Sequence, residues 1–256
     1  MAGDFEVRLS KSADELRAVQ RLRYDVFVRE LGASGPTLDH DLEIEADAFD
    51  VYSEHLMLLD RRRGADLAMQ LVGVYRMMSQ SDAEGAGGFY TASEFDLAPL
   101  LQTGRPMMEL GRSCLRKPYR GGPAMFYLWQ ALAQHVAHRG VEILFGAASF
   151  SGTDLCALTA PLSLLRREHL AQAPLRPNAI GADAVPLGTA GEFEIDRLAA
   201  LRAMPALIKA YLRLGGCVGE GAYVDAAFNT VDVCMVLDVL AMNPRQKAIY
   251  LKGSER

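Results

Sequence analysis

Alternating apolar and polar residues predict a strand at the start of the chain. Phe5 to Leu9 has the two-residue period of a half-buried strand. Ser12 and Glu15 then have the spacing of a capping box, and apolar residues repeat at helical spacing as far as Phe27. The first part of the chain is therefore predicted to be one strand followed by one helix.

The middle of the chain predicts a hairpin and then a strand–helix–strand unit. Residues 54–60 and 70–78 have strand character, and the basic run from Arg61 to Arg63 with Gly64 marks the hairpin tip. A strand around Glu109 precedes a helix from Pro123 to His138, which Gly140 ends. The continuous apolar run 141–147 is typical of a fully buried central strand.

Residues 195–214 form a helical pattern that Pro205 interrupts, and residues 223–240 predict one or two closing strands. This order of elements predicts an α/β fold with a mixed sheet. We expect a single domain, with a core over about residues 1–170 and a C-terminal extension over about 171–256.

Composition narrows the function. Half of the 256 residues are hydrophobic, so the chain can bury a large core, and the net charge of −5 argues against general nucleic-acid binding. The four cysteines form no C-x-x-C pair, which favours a reduced intracellular protein without a metal site. No apolar leader segment begins the sequence, so we expect a cytoplasmic protein.

A basic turn with two glycines precedes the helix that starts at Pro123. Glycine lets backbone N–H groups approach an anion, and a helix N-terminus and arginine side chains add positive charge. The turn is thus a candidate site for the phosphate of a phosphopantetheine thioester; the alternative is a solvated basic rim. The residues expected to bind the acyl-phosphopantetheine are Arg116, Arg120, Gly121, Gly122 and Ala124.

Glu109 and Arg112 carry opposite charges near one strand end. Acyl transfer from a thioester to an amine needs a neutral amine, so Glu109 is the candidate proton acceptor, directly or through water. Arg112 is expected to hold that carboxylate in place; the alternative is a purely structural ion pair. Cys114 lies nearby, but no histidine is close to it in sequence, so we expect direct transfer without an acyl-enzyme.

The acidic run from Glu45 to Asp50 follows a helix that carries Arg23 and Phe27. It is either a solvated loop or, if it folds over the site, an attractor for a cationic substrate.

Seven positions together resemble the acyl-homoserine-lactone synthases, GNAT-like acyltransferases that use acyl carrier protein thioesters. The positions are Arg23, Phe27, Asp47, Asp50, Arg76, Glu109 and Arg112. The chain departs from that family at Leu31-Gly32-Ala33, where the family has a tryptophan, and in its C-terminal half.

The resemblance is closer to the L-ornithine Nα-acyltransferases, often called hemolysin-like. The resembling segments cover almost the whole chain; they are 23–27, 45–50, 109–114, 119–122, 146–154 and 205–215. The last two are the more discriminating, because the signal synthases do not share them.

This resemblance implies a GNAT-like fold and transfer of a 3-hydroxyacyl group from acyl carrier protein to the α-amine of ornithine, giving lyso-ornithine lipid. It implies no permanently bound cofactor, since the acyl thioester of phosphopantetheine is a co-substrate. The residues expected to surround the acceptor are Arg23, Phe27, Asp47, Asp50, Arg76, Ser151, Asp154, Asp225 and Asp232.

Two partner surfaces are also expected. The arginines at 61–63 with Arg116, Lys117 and Arg120 would dock the acidic carrier protein. The amphipathic stretch 197–214 would touch the inner face of the membrane, or else would pack on the core.

Three other functions stay open at this point. The first is an N-acyltransferase of the same fold with glycine, lysine or glutamine as acceptor. The second is a synthase of the acyl-homoserine-lactone type. The third is a non-catalytic lipid-binding or membrane-active protein that has kept the fold.

Overall fold

The computed structural model describes residues 4–188 and 195–243, together with residues 245, 248 and 249. The strands are β1 (Phe5–Leu9), β2 (Leu38–Asp39), β3 (Ile44–Glu45), β4 (Glu54–Asp60), β5 (Leu71–Ser79), β6 (Phe95–Asp96), β7 (Met107–Leu115), β8 (Ile143–Ser151), β9 (Asn178–Ala179), β10 (Ala184–Val185), β11 (Cys217–Val218), β12 (Ala222–Asp225) and β13 (Thr230–Asp238). The α-helices are α1 (Ala13–Arg23), α2 (Leu67–Gln70), α3 (Gln80–Ala86), α4 (Ala98–Leu101), α5 (Ala124–His138), α6 (Leu155–His169), α7 (Arg197–Ala203) and α8 (Ala206–Arg213).

The chain divides into two compact units. Unit 1 contains Met1–Gly87, Leu110–Gly140 and Arg245–Arg256, and unit 2 contains Gly88–Glu109 and Val141–Pro244. Strand β7 therefore contributes its first three residues to unit 2 and the rest to unit 1.

In unit 1 the strands follow the order β1-β4-β5-β7, and both β1–β4 and β4–β5 are antiparallel. Helix α1 begins where the Ser12 side chain accepts a hydrogen bond from the Glu15 N–H, as the capping box predicts. Its apolar face packs with β4 and β5 in a buried cluster that includes Val19, Leu22 and Met57. This packing joins the helix to the sheet and encloses the core of unit 1.

In unit 2 the strands follow the order β7-β8-β13-β12-β10. Strands β7 and β8 are parallel, with a register that joins Met107–Glu109 to Ile143–Phe145. Strand β13 is antiparallel to β8 along all nine residues of each strand. Because the register of β7 with β8 ends at Glu109, this carboxylate stands at the end of the paired stretch.

The structure confirms the predicted α/β fold with a mixed sheet. Strand β4 has the predicted bounds, and α5 starts one residue after the predicted Pro123. The two units divide the chain at other positions than residue 171. The single domain with an extension from residue 171 stays a prediction.

The first helix differs from its prediction. Beyond Arg23 the chain continues as a π-helical segment, Tyr24–Glu30, in which the Leu31 N–H donates to the Val26 carbonyl, five residues back. Apolar spacing does not distinguish a helix from this wider form, so the sequence pattern did not reveal it.

The stretch 197–214 is two short helices, α7 and α8, separated at Pro205 as expected. Ala200, Met204 and Ile208 are buried, so the apolar face is used for packing. In the described part of the chain, no helix combines the length and apolarity needed to cross a bilayer.

Candidate active site

A buried network of six charged side chains lies in unit 1. It contains three arginines and three carboxylates, namely Arg23, Arg76, Arg112, Glu45, Asp47 and Asp50. Each arginine pairs with two of the carboxylates. The network therefore carries no net formal charge, which is how a folded chain keeps so many ions away from water.

Arg23 is the fully buried arginine of this network. It pairs with Glu45 through Nε, and its Nη1 donates to Asp50 Oδ1 at 2.6 Å. Arg76 reaches the same loop, with Nη1 at 2.5 Å from Asp47 Oδ1 and 3.0 Å from Asp50 Oδ1. The acidic run is thus a buried anchor rather than a solvated loop.

Burial and ion pairing shift the pKa values of Asp47 and Asp50 in opposite directions, and the ion pairs have the larger effect. Burial opposes ionisation of Asp47, but Arg76 and Arg112 outweigh it and lower its pKa. Burial likewise opposes ionisation of Asp50, yet Arg23 lowers its pKa below the usual range. Both groups therefore stay charged as long as their arginines are in place.

Arg112 has a backbone conformation that is rare for its type. Its φ of +49° lies in the left-handed region, in the middle of β7. The side chain donates from Nε to Glu45 Oε1 at 3.2 Å and from Nη2 to Asp47 Oδ2 at 2.9 Å. These two ion pairs hold the strained residue in place.

Glu109 is anchored inside unit 2 by a 3-10 turn, Tyr90–Ser93. The carboxylate is buried, with Oε2 accepting from the Tyr90 N–H at 3.0 Å and Oε1 from the Thr91 N–H at 2.6 Å. Each oxygen keeps a second lone pair for another donor. The turn thus fixes the orientation of the Glu109 carboxylate.

Three carboxylates converge elsewhere in unit 2. Glu94, Asp225 and Asp232 each offer an oxygen within 4.8 Å of the other two. Glu94 and Asp232 are buried, and Asp225 also accepts from the Phe228 N–H at 3.0 Å. Such a concentration of negative charge suits an ammonium group; by donor type it would also suit a divalent cation.

The arginines of the basic turn pair with carboxylates of the π-helical segment in unit 1. Arg116 Nη1 donates to Asp25 Oδ2 at 3.1 Å, and Arg120 pairs with Glu30. Arg120 also donates to the Leu115 carbonyl. Both side chains therefore tie the turn to the protein itself.

The other predicted members of the turn differ in exposure. Gly121 and Gly122 are exposed, Gly121 has a φ of +74°, and Ala124 is buried as the first residue of α5. No side chain among the described residues caps this helix N-terminus, so its backbone N–H groups are the anion-binding feature that remains.

Comparison with known proteins decides the family. An acetyltransferase (GNAT) domain model matches residues 22–130. An L-ornithine N(alpha)-acyltransferase of Rhodobacter capsulatus is 48% identical over 98% of this chain and 96% of its own. Proteins of the same name from Agrobacterium fabrum and Brucella abortus are 38% and 35% identical, over 99% and 97% of this chain and 87% and 89% of theirs.

The chain belongs to the L-ornithine N(alpha)-acyltransferase family. It is an acyltransferase with a GNAT domain. A crystal structure of the AHL synthase LasI superposes with a TM-score of 0.47 and 14% identity, over 97% of this chain and 95% of that chain.

In this family member, the residues predicted to contact the acceptor are divided between the two compact units. Arg23, Asp47, Asp50 and Arg76 are together in the buried network of unit 1, and Phe27 packs at the edge of the core cluster. Asp225 and Asp232 are together in unit 2, where Glu94 joins them. Whether any of them contacts the acceptor stays a prediction.

Ser151 and Asp154 have simpler surroundings in this acyltransferase. Ser151 is exposed at the end of β8, and Asp154 caps α6 by accepting from the Cys156 and Ala157 N–H groups. Helix capping alone accounts for an aspartate at position 154.

Cys114 does not have the surroundings of a nucleophile. It is buried, and burial raises the pKa of its thiol to about 12. The thiolate needed for covalent catalysis is therefore scarce at neutral pH, in keeping with direct transfer.

Sequence reasoning missed Glu94, Tyr90 and Thr91. Tyr90 and Thr91 act on Glu109 through backbone N–H groups, which every residue type other than proline has. Glu94 stands in a short segment without hydrophobic periodicity, between the 3-10 turn and β6, so no sequence pattern marks it. Its proximity to Asp225 and Asp232 is visible only in the folded structure.

Proposed function

We propose that this enzyme transfers a 3-hydroxyacyl chain from acyl carrier protein to the α-amine of L-ornithine and so forms lyso-ornithine lipid. Relatives named L-ornithine N(alpha)-acyltransferase, at 35–48% identity over nearly the whole chain, support ornithine as the acceptor. The acyl carrier protein donor and the lipid product are what the resemblance to this family implies.

One observation carries the proposal: the buried carboxylate of Glu109, oriented by two backbone N–H groups at the end of the β7–β8 register. An α-ammonium must lose a proton before its nitrogen can attack a thioester. A carboxylate with fixed geometry and a spare lone pair on each oxygen supports that role.

The acidic group of Glu94, Asp225 and Asp232 would bind the side-chain ammonium of ornithine. A buried ammonium is stable only beside opposite charge, and these carboxylates supply it. They belong to the same unit as Glu109, so the proton acceptor and the proposed ammonium site are built by one compact part of the chain.

The donor arm would bind at the start of α5. Gly121 and Gly122 are exposed ahead of an N-terminus without a side-chain cap, which is the feature that attracts phosphate oxygens. Arg116 and Arg120 would act mainly by holding the turn, since each is already paired with a carboxylate.

Purified protein with 3-hydroxyacyl carrier protein and ornithine tests this function directly. We expect release of the carrier thiol and an N-acylated ornithine that mass spectrometry detects. Glycine, glutamine, lysine and norvaline complete the panel; norvaline matters most, because it matches ornithine in length but lacks the side-chain ammonium. Thiol release with none of these amines would contradict the proposal, and equal rates with norvaline and ornithine would contradict the ammonium site.

The variant Asp232→Asn tests the acidic group. We expect its KM for ornithine to rise at least tenfold, since a buried charge pair contributes several kcal/mol, while the rate with norvaline stays low. Asp196→Asn is the matched control, because it removes the same charge from the N-cap of α7 and asparagine still caps. Turnover that EDTA abolishes would assign the three carboxylates to a metal ion instead.

A further inference from the structure

Thr91 bonds to Glu109 through its backbone N–H, and the hydroxyl of the same residue has no partner among the described residues. The side chain is 1% exposed, and in the described part of the chain its Oγ1 has no hydrogen-bond partner. The N–H of the same residue donates to Glu109 Oε1 at 2.6 Å. Oγ1 is three bonds from that nitrogen, so rotation about one side-chain bond moves the hydroxyl relative to the carboxylate.

Leaving this hydroxyl unpaired has a cost. A buried polar group without a partner destabilises a fold by about 1–3 kcal/mol, and native proteins contain few of them. Valine has nearly the same shape and would avoid the cost at this position. The presence of threonine therefore calls for a role other than stability.

The turn that carries Thr91 is held by contacts at both of its ends. The ring of Phe89 packs edge-to-face against that of Phe145, with 4.9 Å between the ring centroids, and Phe145 is the register partner of Glu109. At the other end, the Ser93 hydroxyl donates to the Tyr90 carbonyl at 2.7 Å, and the Glu94 N–H donates to the Thr91 carbonyl at 3.1 Å. The backbone that places the Thr91 N–H on Glu109 is thus part of a packed segment, and the hydroxyl reaches the carboxylate by rotation of the Thr91 side chain.

We propose that Thr91 is a catalytic residue that relays the proton from the acceptor α-ammonium to Glu109. This inference rests on the proposed function. A hydroxyl both donates and accepts, so it takes one proton from the ammonium as it gives its own to Glu109 Oε1. Threonine ends each cycle unchanged.

Acyl transfer follows once the amine is neutral. The amine nitrogen forms a bond to the thioester carbonyl carbon, the C–S bond breaks, and the electrons of that bond leave on sulfur. The thiolate takes the second proton of the amine, and Glu109 later returns its proton to solvent. The products are an amide and a thiol.

Two variants separate the hydroxyl from the rest of the residue. Thr91→Val keeps the backbone N–H to Glu109 and removes only the hydroxyl, while Thr91→Ser keeps both. We expect Thr91→Val to lower kcat at least tenfold with KM for ornithine within twofold, and to leave Tm unchanged or higher. Thr91→Ser should retain most of the turnover.

The pH profile gives a readout that a structural role would not change. The kcat deficit of Thr91→Val should narrow as the pH rises, because an amine that is already neutral needs no relay. Thr37→Val is the control: its hydroxyl is also buried and has no partner in the described residues, but it belongs to unit 1. We expect that variant to match wild-type turnover.

Three outcomes would overturn the inference. They are wild-type kcat in Thr91→Val, a deficit that stays constant with pH, and failure of Thr91→Ser to restore turnover. Each of them leaves the proposed function intact, provided that the wild-type protein acylates ornithine. A wild-type protein that releases no thiol with any amine overturns both.

Discussion

At the scale of single residues, the same chemical group takes different roles according to its donors. Asp50 and Glu109 are both buried carboxylates. Asp50 is bound to the guanidinium groups of Arg23 and Arg76, whereas Glu109 accepts only neutral N–H groups among its described hydrogen bonds. The first is therefore an anchor within an ion-pair network, whereas the second is oriented by the backbone of one turn.

Glu109→Gln is expected to lower kcat by about 100-fold or more, the usual contribution of a positioned base. An amide has one acceptor oxygen, so it also matches only one of the two N–H groups of the turn. The measurement is kcat at saturating ornithine, with the exposed Glu84→Gln in α3 as control. Near-native turnover would remove Glu109 from the mechanism.

His55 predicts a pH dependence of stability. It is buried, its Nε2 lies 3.0 Å from the Asp50 carbonyl, and burial lowers its pKa below the usual value near 6.5, with Arg23 and Arg76 acting in the same direction against Asp50. Below about pH 6.5, His55 binds a proton in the unfolded chain but stays neutral in the folded protein until a lower pH. The free energy of unfolding therefore decreases as the pH is lowered through this range.

The matching experiment compares wild type with His55→Gln. Between about pH 7.5 and pH 5.5, around the ordinary histidine pKa, the wild type should lose more Tm than the variant, in which this group does not titrate. An equal loss of Tm in the two proteins would show that other groups control the loss of stability at acid pH.

At the scale of elements, single residues determine the local backbone of a strand and the start of a helix. Arg112 has a left-handed backbone within β7, and its two ion pairs stabilise that conformation. Asp154 starts α6 through two hydrogen bonds. Both positions were predicted to serve the chemistry, yet each has a structural role that is visible in its contacts.

Arg112→Ala should lower the free energy of unfolding by about 3–5 kcal/mol, because it leaves Glu45 and Asp47 buried with a partner missing. Arg112→Gly loses the same ion pairs but accepts a positive φ, so it should be more stable than the alanine variant by about 1 kcal/mol. Urea denaturation measures both. An alanine variant as stable as the glycine variant would show that the backbone is not strained in solution.

Asp154→Ala should lower stability by about 1 kcal/mol, the usual loss for an N-cap, while Asp154→Asn keeps the cap. If capping is the whole role, KM for ornithine stays unchanged in the asparagine variant. A raised KM there would return Asp154 to the acceptor site.

At the scale of the whole molecule, the distribution of charge bears on the proposed docking of an acyl carrier protein. The net charge is −5, and the basic residues expected to dock an acidic carrier are largely paired: Arg61 with Glu6, Arg62 with Asp60, Arg116 with Asp25 and Arg120 with Glu30. Lys117 is exposed beside the basic turn. It is the residue on which we place the docking prediction.

Lys117→Glu should raise KM for the acyl carrier protein several-fold and should change KM for an acyl-pantetheine substrate much less. The carrier effect should shrink as salt is added, since exposed charges are screened. Lys11→Glu, an equal charge change at another exposed lysine, is the control. Equal effects of both variants would mean that net charge, and not this site, controls docking.

The sequence by itself determined the elements with a strong period and the family. Strand β4 was predictable from its apolar run before the basic residues 61–63, and helix α5 from the helical spacing of its apolar residues between Pro123 and Gly140. Segments such as 109–114 were sufficient for the family resemblance. The tertiary structure decided the partners: Arg112 with Glu45 and Asp47, Glu109 with the turn at Tyr90–Ser93, and Glu94 with Asp225 and Asp232. Such partners are far apart in sequence, and a buried charge or N–H binds whatever the folded backbone brings within reach, so no local pattern reveals the choice.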